Sequence, residues 1–192
     1  MDHKKKFLKT IKDYIPYNEQ ERADKEMILR FLMERDSVYF RENQAAHIST
    51  SGWILNQTHD RILMAYHNIY NSWAWTGGHA DGETDLLSVA IREAKEETGI
   101  VTVKPLFEEP FSIEVLTVDG HEKKGKYVSS HLHLNITYLL EADDRERTQK
   151  KEDENSAVDW FSIADCIKEV SEPWMKERIY EKIIAKMAII FE

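Results

Sequence analysis

Glu93, Glu96 and Glu97 follow one another at i, i+3 and i+4, a spacing that on a helix puts three carboxylates within one turn on the same face. Like charges so placed repel, and something must offset that repulsion. From Asp81 to Glu97 there are six acids (Asp81, Glu83, Asp85, Glu93, Glu96, Glu97) against Arg92 and Lys95. A hard divalent cation such as Mg²⁺ takes oxygen ligands and keeps waters in its shell, so it would neutralise the cluster and leave room for a substrate. The plainer reading is a solvated helix face whose acids pair with Arg92 and Lys95. Paired glycines, Gly77-Gly78, precede the cluster, and backbone without a Cβ can come close to a metal ion or a phosphate.

The elements that must position these groups follow from hydrophobic periodicity. Leu87, Ala90, Ile91 and Ala94 form the apolar stripe of a helix that carries the carboxylates, with Thr84 as the expected N-cap and Gly99 as the expected stop. Residues 51–55 and 61–66 read as a hairpin around the polar turn 56–60, and 72–76 as a short strand running into the glycines. Strands are expected at 101–103 and 111–118. Residues 131–138 alternate polar and apolar without a break, the mark of a strand with one face in the core, and 157–161 reads as a last strand. Before all of these, residues 7–33 read as two helices broken near Pro16; after them, 162–169 and 173–191 read as helices.

Composition narrows the partners. The chain has 192 residues, one domain's worth, with Lys plus Arg at 26 and Asp plus Glu at 35 for a net charge of −9. That balance argues against a broad nucleic-acid surface, which needs clustered positive charge. Cys166 is the single cysteine, so no disulfide framework or cysteine-rich zinc cluster is expected. The N-terminus lacks the apolar run of a secretory signal, and no window is apolar for long enough to span a bilayer, so a cytoplasmic protein without membrane contact is the expectation.

The stretch from Gly78 to Ile100 resembles the Nudix box, G-x5-E-x7-R-E-U-x-E-E-x-G-U, with Arg92, Glu93, Ala94, Glu96, Glu97, Gly99 and Ile100 on its last seven defined positions. Thr84 falls where the box has its first Glu, and Glu83 stands one residue early. The resemblance implies an α/β fold, a Nudix-type α/β/α sandwich with a mixed sheet, covering residues 46–169. Helical additions flank it, for a division into 1–43, 44–170 and 171–192. It implies hydrolysis of a phosphoanhydride in a nucleoside diphosphate linked to another moiety, with Mg²⁺ or Mn²⁺ as cofactor. Glu93, Glu96, Glu97 and a carbonyl of Gly77 or Gly78 would be metal ligands, and Glu93, Arg92 and Glu97 the catalytic set. Either Glu93 or Glu154 would be the general base, and Arg92 would orient a box glutamate.

His79, directly after the glycines, His133 and Trp75 are candidates for substrate contact, the tryptophan by stacking on a base. Trp73 shares that possibility, and a core role for at least one tryptophan is the simpler expectation. His131 and His133 share one side of their strand, but no third ligand at metal-site spacing accompanies them. A non-catalytic nucleotide sensor on the same fold is the competing reading, supported by Thr84. An isoprenyl diphosphate isomerase, also known on this fold, would want a cysteine near the box, and Cys166 is far along the chain. The terminal helices could cover a partner subunit in a homodimer.

Overall fold

A computed structural model describes residues 3–123 and 125–191. A mixed sheet forms its centre. Strands β1 (Ala46–Leu55), β2 (Arg61–His67), β3 (Ser72–Ala74) and β4 (Thr76–His79) lead into helix α3 (Leu86–Thr98). Then come β5 (Lys104–Pro105), β6 (Ser112–Val118), the hairpin β7 (His121–Lys123) and β8 (Lys126–Val128), β9 (His131–Glu141) and β10 (Asn155–Ser162). The order β10-β2-β1-β9-β5 runs across the main sheet, with β3 on β2, β4 on β1 and β6 on β9. β1 and β9 pair in parallel over ten residues, His47 opposite His133 and Ser49 opposite Asn135, while the other pairs in this sheet are antiparallel.

Side chains alternate across these strands, so the sheet has two chemically distinct faces. One face carries Ile48, Ile54, Leu134 and Ile136 and packs against Leu86, Ala90 and Ala94 of α3. Trp53, Leu55 and Leu139 lie on the other, beneath Ile179, Tyr180, Ile183 and Met187 of the C-terminal helix. Trp53 has no exposed surface, and its indole N–H points at the Met187 sulfur at 3.1 Å. Burying a side chain of that size contributes several kcal/mol, at roughly 25 cal/mol per Å² of apolar surface.

The helices outside the sheet are α1 (His3–Asp13), α2 (Glu19–Glu34), α4 (Ile163–Glu169) and α5 (Glu181–Ile190). Immediately before α5, Met175–Tyr180 forms a π-helical turn, so that the segment entering α5 is wound more widely than an α-helix. Helices α2 and α5 are joined under the sheet edge by a buried charge network. Lys182 lies 2.9 Å from Glu114 and 3.2 Å from Glu21, and Lys186 lies 2.8 Å from Glu21. Tyr14 and Ser112 hydroxyls donate to Glu21, while Thr137 and Asn135 donate to Glu114.

Most expected elements are present, with three differences. Asp85, not Thr84, caps α3, because its carboxylate accepts both the backbone N–H and the hydroxyl of Ser88. Residues 101–103 form no strand; pairing to β9 begins only at Lys104. The hairpin β7–β8 has no counterpart in the sequence reading. Among the described residues, no helix is long and apolar enough to cross a membrane.

Candidate active site

The box helix is held at both ends by backbone chemistry. At its C-terminus Gly99 adopts a left-handed conformation (φ 73°) and its N–H closes on Lys95 O at 2.9 Å, the stop expected from sequence. Before its N-terminus the loop makes a tight turn at Asp81 and Gly82, both with positive φ (47° and 91°), closed by Glu83 N–H on Ala80 O at 2.9 Å. Glycine suits the second of these positions because a side chain there would also meet the Phe40 ring. This turn delivers Glu83 to Arg92. The Arg92 guanidinium donates to Glu83 at 2.5 Å and to Glu93 at 3.3 Å, and reaches within 3.9 Å of Glu96. The carboxylate that pairs with Arg92 thus comes from position 83, one residue before the box position occupied by Thr84.

Each helix carboxylate has a different environment. Glu97 is fully buried, and its Oε1 accepts the Gly77 N–H at 2.8 Å. Its Oε2 has no hydrogen-bond partner; His67 Nε2 stands 3.4 Å away without forming one. Burial drives the Glu97 carboxyl up to about 8 and likewise lowers His67, so burial disfavours the charged form of both. Glu93 is mostly covered, with burial and then the charge of Glu96 raising its pKa against the opposing pull of Arg92. Glu96 is about half exposed and faces Lys151 at 3.6 Å, which also holds Glu154 at 3.0 Å. Strand β4 brings the glycines against these acids: a Cβ on Gly78 would lie 2.5 Å from Glu93 Cδ, and one on Gly77 would lie 2.6 Å from the Thr50 carbonyl.

A buried carboxylate oxygen without a donor, beside a second covered carboxylate and a strand stripped of side chains, is what a hard cation needs. Glu93, Glu96 and Glu97 are thus the residues that could hold a Mg²⁺-type ion, and Glu97, with its unpartnered oxygen, is the one for which the ion would matter most.

The other expected contact residues divide. His79 and His133 meet, Nε2 to Nε2 at 3.3 Å, and line a cavity of about 320 Å³ on the far face of the sheet. His131 Nε2 lies 3.2 Å from His133 Nε2. Trp75 stands elsewhere: it is 7% exposed and packs edge-on against Tyr180 at 5.2 Å. Trp73 packs edge-on against Tyr66 and Phe161. Cys166 is buried with its thiol on the Ile163 carbonyl, and burial raises it to about 11. His47 was not singled out from sequence, yet its ring lies 4.9 Å from those of His79 and His133. The signal was present in the pairing of two alternating strands, His47 on β1 opposite His133 on β9.

A mixed sheet covered by helices on both faces, with paired glycines and a carboxylate helix packed on one of them, is the architecture of the Nudix pyrophosphohydrolases. A family model described as NUDIX domain matches residues 45–186, and the chain belongs to that family. Among solved structures, an Ap4A hydrolase from C. elegans is similar at 20% identity and a TM-score of 0.50, covering 75% of this chain and 96% of that one. A NUDIX-family hydrolase from Clostridium perfringens superposes with a TM-score of 0.51 at 20% identity, over 75% and 97% of the two chains. The dihydroneopterin triphosphate pyrophosphohydrolase of E. coli gives a TM-score of 0.51 at 17% identity, over 72% and 95%. No curated protein matches the sequence.

Proposed function

We propose that the chain hydrolyses a phosphoanhydride bond in a nucleoside diphosphate linked to another moiety, with a divalent cation held by Glu93, Glu96, Glu97 and the Gly78 carbonyl. The observation that carries this reading is Glu97, closed off from solvent, fixed by one backbone N–H and left with an unpartnered oxygen. A bound Mg²⁺ or Mn²⁺ supplies neutralisation of phosphate charge and a more acidic water.

The chain's own residues do the rest. Glu97 and Glu96 are the principal ligands, Glu97 held in place by the Gly77 N–H. Glu93 takes the proton of the attacking water as the new P–O bond forms and the bridging P–O bond breaks. Its covered carboxyl, oriented by Arg92, suits that task. Arg92 acts through Glu93, which it orients while anchored by Glu83. Glu154 is the less suited base, since Lys151 holds it in an ion pair. His79 and His133 line the cavity on the other face and are the candidates for contact with the rest of the substrate, whereas Trp75 is packed on Tyr180. The sensor reading rested on Thr84, and the Glu83–Arg92 pair answers that departure.

The test is a panel of nucleotide sugars, dinucleoside polyphosphates, ADP-ribose-like compounds and oxidised nucleoside triphosphates, each incubated with Mg²⁺ and read by product mass. Dinucleoside polyphosphates belong on it because the C. elegans relative is an Ap4A hydrolase. Turnover of at least one class, lost in Glu97→Gln, is expected; full activity in that variant would remove the carboxylates from the chemistry.

A further inference from the structure

Five histidines gather on the sheet face opposite α3. His47 comes from β1, His79 from β4, His131 and His133 from β9, and His121 from the β7–β8 hairpin. His79 and His131 approach the same atom, His133 Nε2, at 3.3 and 3.2 Å. The ligand nitrogens of His47, His79 and His133 all lie within 4.8 Å of one another.

The tautomers of two rings are fixed by backbone carbonyls. A carbonyl oxygen only accepts, so His47 Nδ1, 3.1 Å from Asn43 O, and His131 Nδ1, 2.8 Å from Ser129 O, must carry the hydrogen. In its neutral form such a ring has its lone pair on Nε2. A backbone carbonyl that takes the outer N–H in this way orients a histidine to ligate a metal through the inner nitrogen, and His47 is held so. The protein satisfies this cluster only in part. His133 Nε2 has one hydrogen at most to share, and His47 Nε2, on a residue 4% exposed, has no hydrogen-bond partner.

We propose that His47, His79 and His133 bind a transition-metal cation of the Zn²⁺ class, with His131 beside them and one coordination position open to the cavity. Imidazole nitrogens suit Zn²⁺, Co²⁺, Ni²⁺ or Cu²⁺, whereas Mg²⁺ takes oxygen. Nitrogens about 2.0–2.1 Å from a tetrahedral Zn²⁺ lie about 3.3 Å from one another. The His79–His133 separation already equals that edge, and the His47 nitrogen lies within 4.8 Å of both. Three histidines with a fourth position free is the donor set of a zinc ion that also takes an outside ligand. The free position faces the cavity of about 320 Å³ that Arg41, Tyr70 and Tyr127 also line. This site is separate in chemistry from the box, although one dipeptide touches both: Gly78 faces Glu93, while its neighbour His79 faces the imidazoles. It does not depend on the box carboxylates holding a metal.

The experiment uses the full chain, stripped with chelator, loaded with Zn²⁺ and dialysed against excess Mg²⁺, with metal per chain read by elemental mass spectrometry. One Zn²⁺ per chain is expected, retained unchanged in Glu97→Gln, and the Co²⁺-loaded protein should show the intense visible bands of a tetrahedral nitrogen site. Affinity should fall more than about 100-fold in His133→Ala and in His79→Gln, the second at a partly exposed position that spares the fold. No Zn²⁺ retained by the wild-type chain, undiminished binding in both histidine variants, or loss of the ion in Glu97→Gln would each overturn the proposal.

Discussion

Glu21 and Glu97 are both fully buried, and their surroundings are opposites. Around Glu21 the structure places two lysines, two hydroxyls and the Tyr17 N–H. Burial alone would push its carboxyl up, but Lys182 and Lys186 outweigh burial and hold it below its ordinary value. Glu97 accepts one N–H, makes no contact with a lysine or arginine among the described residues, and is pushed by burial far above its ordinary value. A buried carboxylate saturated with partners ties helices to a sheet; one with a bare oxygen is open to a ligand. Burial by itself separates neither role, and the count of partners does.

The largest effect is expected at the unsaturated site. Glu97→Gln keeps the shape and the Gly77 hydrogen bond but cannot hold a cation, so turnover should drop about 10³-fold or more with far-UV circular dichroism unchanged. At the saturated site, Lys182→Met strands Glu114 and leaves Glu21 with a single lysine. Denaturant unfolding should show a loss of about 3–5 kcal/mol, while kcat per folded molecule stays at the wild-type value. A result in which Lys182→Met lowers kcat in the folded fraction would break the division between the two regions.

Smaller effects sharpen it. Glu83→Gln and Arg92→Lys should each reduce kcat by about 10- to 100-fold, the usual cost of losing an outer partner, and the double variant should lose little more than either alone. The smallest effect is the dependence of stability on pH, which has opposite sign at the two glutamates. Glu97, raised from 4.5 to about 8, favours the folded metal-free chain below 4.5 and loses that contribution as pH rises through 8. Glu97→Gln should therefore gain in melting temperature over wild type across this window, and Mg²⁺ should abolish the gain. Glu21, held below 4.5, stabilises above that value and loses its contribution as pH falls through its folded pKa. Glu21→Gln should thus melt below wild type at neutral pH, the gap narrowing in acid.

The box and its helix were legible because their spacing is local: three acids, an arginine and a stopping glycine are read within one element. The uninterrupted alternation of 131–138 likewise announced β9. What the sequence hid is long-range. His131 and His133 lack a third ligand at any familiar spacing, since it comes from β1 and β4 through sheet pairing rather than from nearby sequence. Glu83 could not be matched to Arg92 from spacing alone, because two successive positive-φ residues set which side chain turns inward. Thr84 looked the better cap, and Asp85 won by accepting two hydrogen bonds at once. Trp75 sits beside the glycines in sequence, yet it packs on Tyr180, a residue more than a hundred positions later.

The wide turn at Met175–Tyr180 sets the phase of everything after it. An α-helix advances about 100° per residue, so removing one residue there would swing Lys182 and Lys186 roughly a quarter of the way around the axis and away from their acids. For this segment, length counts alongside side-chain identity: substitutions at the exposed Glu177 and Arg178 should be forgiven, while a one-codon deletion, like a change at the buried Ile179 or Tyr180, should not.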